Sequence, residues 1–310
     1  MTQHEPAAHM PPPPETLSPE AIGQMGAMAG AELPAEIDFA VVRAFSEQIQ
    51  VMIGAEQQKS HAVTVTDDVV AGVRVRRVAP AAGARPGKVL MNLHGGGFAT
   101  DSGSLTENIP IAALSGIEVV AVLYRFAPEH PFPAAVDDAL AVYKALLEGH
   151  DAKNIGVYGT SAGAVIGPQL MMRLQAEGLP LPGALGVFSG EADLQGVADS
   201  LKIFAKQREG QLLVDCKNYY VGDSDPKNPL LSQLFGDVSH FPPTFCVSSG
   251  RDVLLSGTVN LHRKLRDAGV AAELLVYDAL PHAFWANFLA PESDDCFRQM
   301  SSFLTQHLCQ

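Results

Sequence analysis

Ile155-Gly156-Val157-Tyr158-Gly159-Thr160-Ser161-Ala162-Gly163 decides the architecture of this chain. Its first four residues read as a short apolar strand and 162–177 as a helix, so Ser161 falls on the turn between them. A sharp strand-to-helix turn brings two backbone segments together, which demands small residues at its flanks and pushes the serine hydroxyl outward. The helix that follows aims its free N–H groups at the same point. Without the strand before and the helix after, Gly-x-Ser-x-Gly would describe only a small-residue turn.

Outward from this turn the chain alternates. Extended runs at 63–66 and 73–78 precede an unbroken apolar run at 89–93. Strands then follow at 119–124, 155–158, 184–188, 244–248 and 273–277, with helices at 134–147, 162–177, 256–268 and 294–307. Continuous apolar strands separated by amphipathic helices predict an α/β fold: a mainly parallel central sheet flanked by helices on both faces. Between Phe188 and Phe241 the rhythm breaks, and LKIFAKQ and CKNYYVG read as short helices of an insertion over the strand ends. Phe39, Val42, Phe45, Ile49, Met52 and Ile53 recur at helical spacing. Segments 38–55 and 190–235 are therefore expected to form a helical cap on a single domain spanning 38–310. The start of the chain, with four consecutive prolines at Pro11 to Pro14, is expected to be a mobile leader over 1–37.

Composition narrows the function. Hydrophobic residues make up 47% of the 310, enough for a large core, yet no stretch approaches the roughly 18 uninterrupted apolar residues of a membrane helix. The opening MTQHEPAAHMPPPPE has neither a basic start nor an apolar run, so a cytoplasmic chain that does not enter a membrane is expected. The 21 basic and 34 acidic side chains leave a net charge of −13, which repels nucleic acid. Cys216, Cys246, Cys296 and Cys309 have no metal-ligand spacing, so no metal site is expected and reduced thiols are.

Three further segments carry chemistry. His94-Gly95-Gly96-Gly97-Phe98 follows the buried strand at 89–93, and three bare glycines let backbone N–H groups approach a developing oxyanion. The donors assigned here are the N–H groups of Gly95, Gly96 and Ala162, with His94 bracing the loop. A serine hydroxyl needs a base, and the base a carboxylate to hold its tautomer. Of ten histidines, His282 in Leu280-Pro281-His282-Ala283-Phe284 lies just past the last strand. Asp252 in Ser249-Gly250-Arg251-Asp252 lies just past the strand before it. Asp252 also fits a helix N-cap, and Asp278, four residues before His282, is a rival acid.

These segments, together with Tyr124-Arg125-Phe126-Ala127-Pro128-Glu129-His130-Pro131-Phe132-Pro133-Ala134-Ala135, resemble the bacterial hormone-sensitive-lipase esterase family, in its GTSAG subgroup, from about Val89 to the C-terminus. The resemblance implies an α/β-hydrolase fold under a helical cap and no cofactor. It also implies a preference for esters of short to medium acyl chains, and dimers in many members. Ser161, Asp252 and His282 match its triad in the chain order of α/β hydrolases, and Gly95, Gly96 and Ala162 match its oxyanion donors. The chain departs from it at Ser189-Gly190-Glu191-Ala192-Asp193, where the family has a Ser-Pro-Trp segment, and at Ala283, where it has glycine. The expected activity is a serine carboxylesterase acting on small-molecule esters through an acyl-enzyme. Lactonase, amidase or acyltransferase chemistry on the same triad, and a non-catalytic small-molecule-binding role, stand as alternatives.

Overall fold

The computed structural model describes residues 11–29, 38–204 and 208–308. Two helices, α1 (Pro19–Ala29) and α2 (Phe39–Gln57), precede the antiparallel pair β1 (Val63–Val70) and β2 (Val73–Pro80). Then come β3 (Val89–Leu93), α3 (Asn108–Ser115), β4 (Glu118–Val122), α4 (Ala134–Leu147), β5 (Ile155–Thr160), α5 (Ala162–Ala176) and β6 (Ala184–Phe188). After α6 (Asp199–Phe204) and α7 (Arg208–Val221), the chain closes with β7 (Thr244–Arg251), α8 (Leu255–Asp267), β8 (Ala272–Pro281), α9 (Phe284–Asn287) and α10 (Pro291–Leu308).

The strands form one eight-stranded sheet in the order β1-β2-β4-β3-β5-β6-β7-β8. β1–β2 and β2–β4 are antiparallel, and every other pairing is parallel. Residues of β3, β5 and β6 are buried throughout, because helices cover both faces. Successive strand residues feed opposite cores. Met91, Val120 and Val157 pack with Val136 of α4, Leu170 of α5 and Leu265 of α8. Their neighbours Leu90, Val119 and Tyr158 pack with Ile109 of α3 and Phe297 and Leu304 of α10. All five parallel pairings run from β4 to β8, so the carboxyl ends of these strands share one edge of the sheet, the edge where α/β folds bind ligands.

Two departures from the sequence reading have plain causes. The leader expected over 1–37 contains α1, which docks on the body. Leu17 and Ala21 are buried, and the Ser18 amide and hydroxyl donate to the Glu292 carboxylate of α10 at 2.6 and 2.7 Å. The start signal is there in Ser18-Pro19-Glu20. The Ser18 hydroxyl accepts from the Ala21 N–H at 3.1 Å, Pro19 takes the first helical position, and Glu20 sits in the first turn. The proline run beside it hid that signal, while residues 1–10 and 30–37 lie outside the described residues. The second departure, α3, is eight residues long and almost wholly buried, so it carries no amphipathic period to read. Among the described residues no helix is long and apolar enough to cross a membrane.

Candidate active site

β5 ends at Thr160 and α5 begins at Ala162, leaving Ser161 alone on the turn with φ 56° and ψ −116°. This conformation is sparsely populated by non-glycine residues and stores on the order of 1–3 kcal/mol. The flanks are small for the reason the turn demands. A Cβ on Gly159 would stand 2.5 Å from the Gly163 backbone, and one on Gly163 would run into the Leu93 carbonyl. The Ser161 N–H donates to the Phe188 carbonyl at 2.9 Å, tying the turn to β6. A serine before a helix usually caps it with its hydroxyl, but Ser161 makes no such bond. Its Oγ lies instead 2.9 Å from Nε2 of His282.

His282 follows β8 directly and Asp252 follows β7 directly, so both stand at the same sheet edge as Ser161. Nδ1 of His282 is 2.6 Å from Oδ1 of Asp252. The Asp252 carboxylate is fully buried and saturated with donors: Ser189 Oγ at 2.5 Å, Ser248 Oγ at 2.7 Å and the Leu254 N–H at 2.8 Å. Burial alone would raise its pKa. The His282 charge and the donated hydrogen bonds outweigh burial and hold it below the ordinary carboxylate value. Asp278, the rival acid, is exposed. Ser189 and Ser248 were not picked out from sequence as partners of the acid. Ser248 lies four residues before Asp252 on β7, whereas only the parallel pairing of β6 with β7 brings Ser189 to it.

The glycine loop lies against the turn. An added Cβ on Gly95 would come within 3.4 Å of Ser161 Cβ and 3.3 Å of the Thr160 carbonyl. The Gly95 N–H helps to hold down the Glu107 pKa, whereas Gly97, absent from the sequence-based set, lines the cavity at Ser161 together with Ala162. His94 is buried, stacked on Tyr124 with ring centroids 4.3 Å apart, and its carbonyl accepts from the Tyr124 hydroxyl at 2.8 Å. On α2, Arg43 donates to the Ala99 carbonyl at 2.7 Å and pairs with Glu129 at 2.7 Å, which joins the outer helix to both the glycine loop and the proline-rich block. In that block Arg125 pairs with Asp138 of α4 at 2.9 Å.

Beneath the loop is a buried polar network. Glu107 accepts from Asn92 Nδ2 at 3.2 Å and from the Thr160 side chain. Asn108 donates to Asn92 Oδ1 at 3.1 Å and accepts from the Tyr158 hydroxyl at 2.5 Å, and Trp285 Nε1 donates to Thr160 Oγ1 at 3.3 Å. Burial pushes the Glu107 carboxyl up to about 8 despite these donors, so at neutral pH it holds its proton.

Ser161 opens into a small cavity at the carboxyl edge of the sheet. Gly97 and Phe98 of the glycine loop, Ala162 and Val165 of α5, Leu201 of α6 and Val214 of α7 are among its walls. Of the two segments that the sequence reading treats as a cap, the later one supplies Leu201 of α6 and Val214 of α7 to the cavity walls, whereas α2 supplies none and bonds through Arg43 to the Ala99 carbonyl just beyond the glycine loop.

The family model for the alpha/beta hydrolase fold matches residues 90–286. An esterase of Acinetobacter venetianus is 30% identical over 251 residues, covering 76% of this chain and 80% of that protein. A solved esterase structure superposes with a TM-score of 0.83 at 33% identity, covering 97% of each chain. A second, an esterase from the bacterial hormone-sensitive lipase family, superposes with a TM-score of 0.82 at 28% identity, covering 94% of this chain and 99% of the other. The chain belongs to the α/β-hydrolase family, among the carboxylic ester hydrolases of the hormone-sensitive-lipase type.

Proposed function

We propose that the chain hydrolyses uncharged esters of short to medium acyl chain by two-step acyl transfer, with Ser161 as nucleophile, His282 as base and Asp252 as the group that orients it. His282 takes the Ser161 proton as the hydroxyl oxygen attacks the ester carbonyl, and Asp252 stabilises the imidazolium that forms. The oxyanion is held by the N–H groups of Gly96, Gly97 and Ala162. Gly97 replaces Gly95 in this set because the Gly95 N–H is engaged by Glu107 and Gly97 faces the cavity. His282 returns its proton to the leaving alcohol, and water repeats the sequence on the acyl-enzyme. The observation that carries this reading is the run of hydrogen bonds from Ser161 through His282 to Asp252, 2.9 and 2.6 Å long.

The cavity's small volume and apolar walls support the chain-length range, with α6 and α7 setting its depth. Buried thiols at Cys216, Cys246 and Cys296 support a cytoplasmic location, and the family resemblance supports a homodimer. The test is a kcat/KM profile across nitrophenyl esters of increasing acyl length, paired with organophosphate labelling at Ser161. Short esters should be preferred. Shortening the cavity walls with Leu201→Ala and Val214→Ala should move the optimum to longer chains. A flat profile, or label found elsewhere than Ser161, would overturn the reading.

A further inference from the structure

The cavity at Ser161 is apolar except for two charged side chains. Glu191, from the segment after β6, and Lys217, from α7, both line it, and both are nearly inaccessible, at 3% and 6% exposure. Glu191 stands in the segment where this chain departs from its family's Ser-Pro-Trp pattern. Its Oε1 is buried without a hydrogen-bond partner. Lys217 is near enough to pull the Glu191 pKa down, yet among the described residues the two make no direct ion pair. Burial, helped by Asp193, wins over that pull and lifts the Glu191 carboxyl to about 7. Glu191 Oε1 is left unsatisfied, a costly arrangement in an apolar pocket unless a ligand completes it.

Donor and acceptor chemistry then selects the ligand. An ionised carboxylate only accepts hydrogen bonds and an ammonium only donates them. A substrate anion here would face Glu191 and Asp193, a cation would face Lys217, and an alkyl chain would leave Glu191 Oε1 bare. A hydroxyl both donates and accepts. We propose that Glu191 and Lys217 select esters carrying a free hydroxyl, which donates to the Glu191 carboxylate and accepts from the Lys217 ammonium. This rests on Ser161 being the nucleophile of the same cavity, and the hydroxyl can belong to the acyl or to the alcohol part.

The test uses the full chain and two substrate pairs: nitrophenyl butyrate against nitrophenyl 3-hydroxybutyrate for the acyl part, and ethyl butyrate against 2-hydroxyethyl butyrate for the alcohol part. In one arm the hydroxylated ester should be favoured in kcat/KM by about tenfold or more, as for a hydrogen bond to a charged group. That ratio should collapse towards one in Glu191→Leu and in Lys217→Met. Because each ratio compares two substrates on one enzyme, general damage to activity cancels. A preference that survives in both variants would overturn the assignment to this pair. If neither variant folds, the wild-type ratios alone decide, since values near one in both arms overturn the inference. Such values with plain esters still turned over would leave the esterase reading standing. No turnover of any ester, with Ser161 unlabelled by an organophosphate, would remove that reading and the inference with it.

Discussion

The Ser189 hydroxyl lies 2.5 Å from Oδ2 of Asp252, so the carboxylate that faces His282 is also held from the strand end behind Ser161. Hydrogen bonds to a buried charge contribute on the order of 1.5–3 kcal/mol. Ser189→Ala should therefore lower stability by about that amount and reduce kcat several-fold with little change in KM. The hydroxyl favours the ionised form of Asp252, whose pKa lies below its unfolded value of 3.8. Its stabilising effect is present above that value and is lost as pH falls through the folded pKa. Denaturant melts of both proteins at neutral and strongly acidic pH should show the stability gap shrinking in acid.

Ser161 carries both the hydroxyl and the strained backbone, and two substitutions separate these. Ser161→Ala should reduce turnover on the order of a millionfold while leaving stability nearly unchanged. Ser161→Gly should be equally inactive but more stable by roughly 1 kcal/mol, because glycine accepts φ 56° without cost. Thermal denaturation of the two variants side by side checks this, and equal melting temperatures would show that the turn stores no strain.

Asp252→Asn should lower kcat by roughly ten-thousandfold, since the amide favours the wrong imidazole tautomer. Asp278→Asn, at an exposed position of β8, should be nearly silent. Steady-state kinetics on one nitrophenyl ester decide between them, and the reverse ranking would transfer the role to Asp278.

Glu107 keeps its proton up to about pH 8 in the folded chain but loses it near 4.5 when unfolded. Between these values the unfolded state binds fewer protons, so this residue makes stability fall as pH rises. Glu107→Gln imitates the protonated carboxyl and removes that dependence. The variant should gain stability relative to wild type on going from pH 5 to pH 8, by on the order of 1–3 kcal/mol. A gain that is constant with pH would show that Glu107 is not buried uncharged.

Deleting residues 1–29 should cost stability, about 2 kcal/mol or more, because it uncovers the surface that Leu17 and Ala21 bury and strips Glu292 of both Ser18 donors. A truncated chain that melts with the full one would show that α1 contributes nothing.

What the sequence determined by itself was local. The turn around Ser161 is legible because its glycines, its strand and its helix are contiguous, and strands β3, β5 and β6 because burial on both faces writes unbroken apolar runs. The positions of Asp252 and His282 just past strand ends are equally local, as is the glycine loop after β3. The tertiary structure alone decided what depends on residues far apart in the chain. Ser189 meets Asp252 through sheet register, and Gly97 is brought to the cavity at Ser161 by the packing of the glycine loop. Glu191 and Lys217, from separate segments, line one cavity only in the folded chain. α1, whose start signal lay beside a proline run, is held by partners more than 270 positions away, at Glu292. Periodicity and spacing record which faces are buried. They do not record which polar atoms burial brings together, since that follows from packing across the whole sheet.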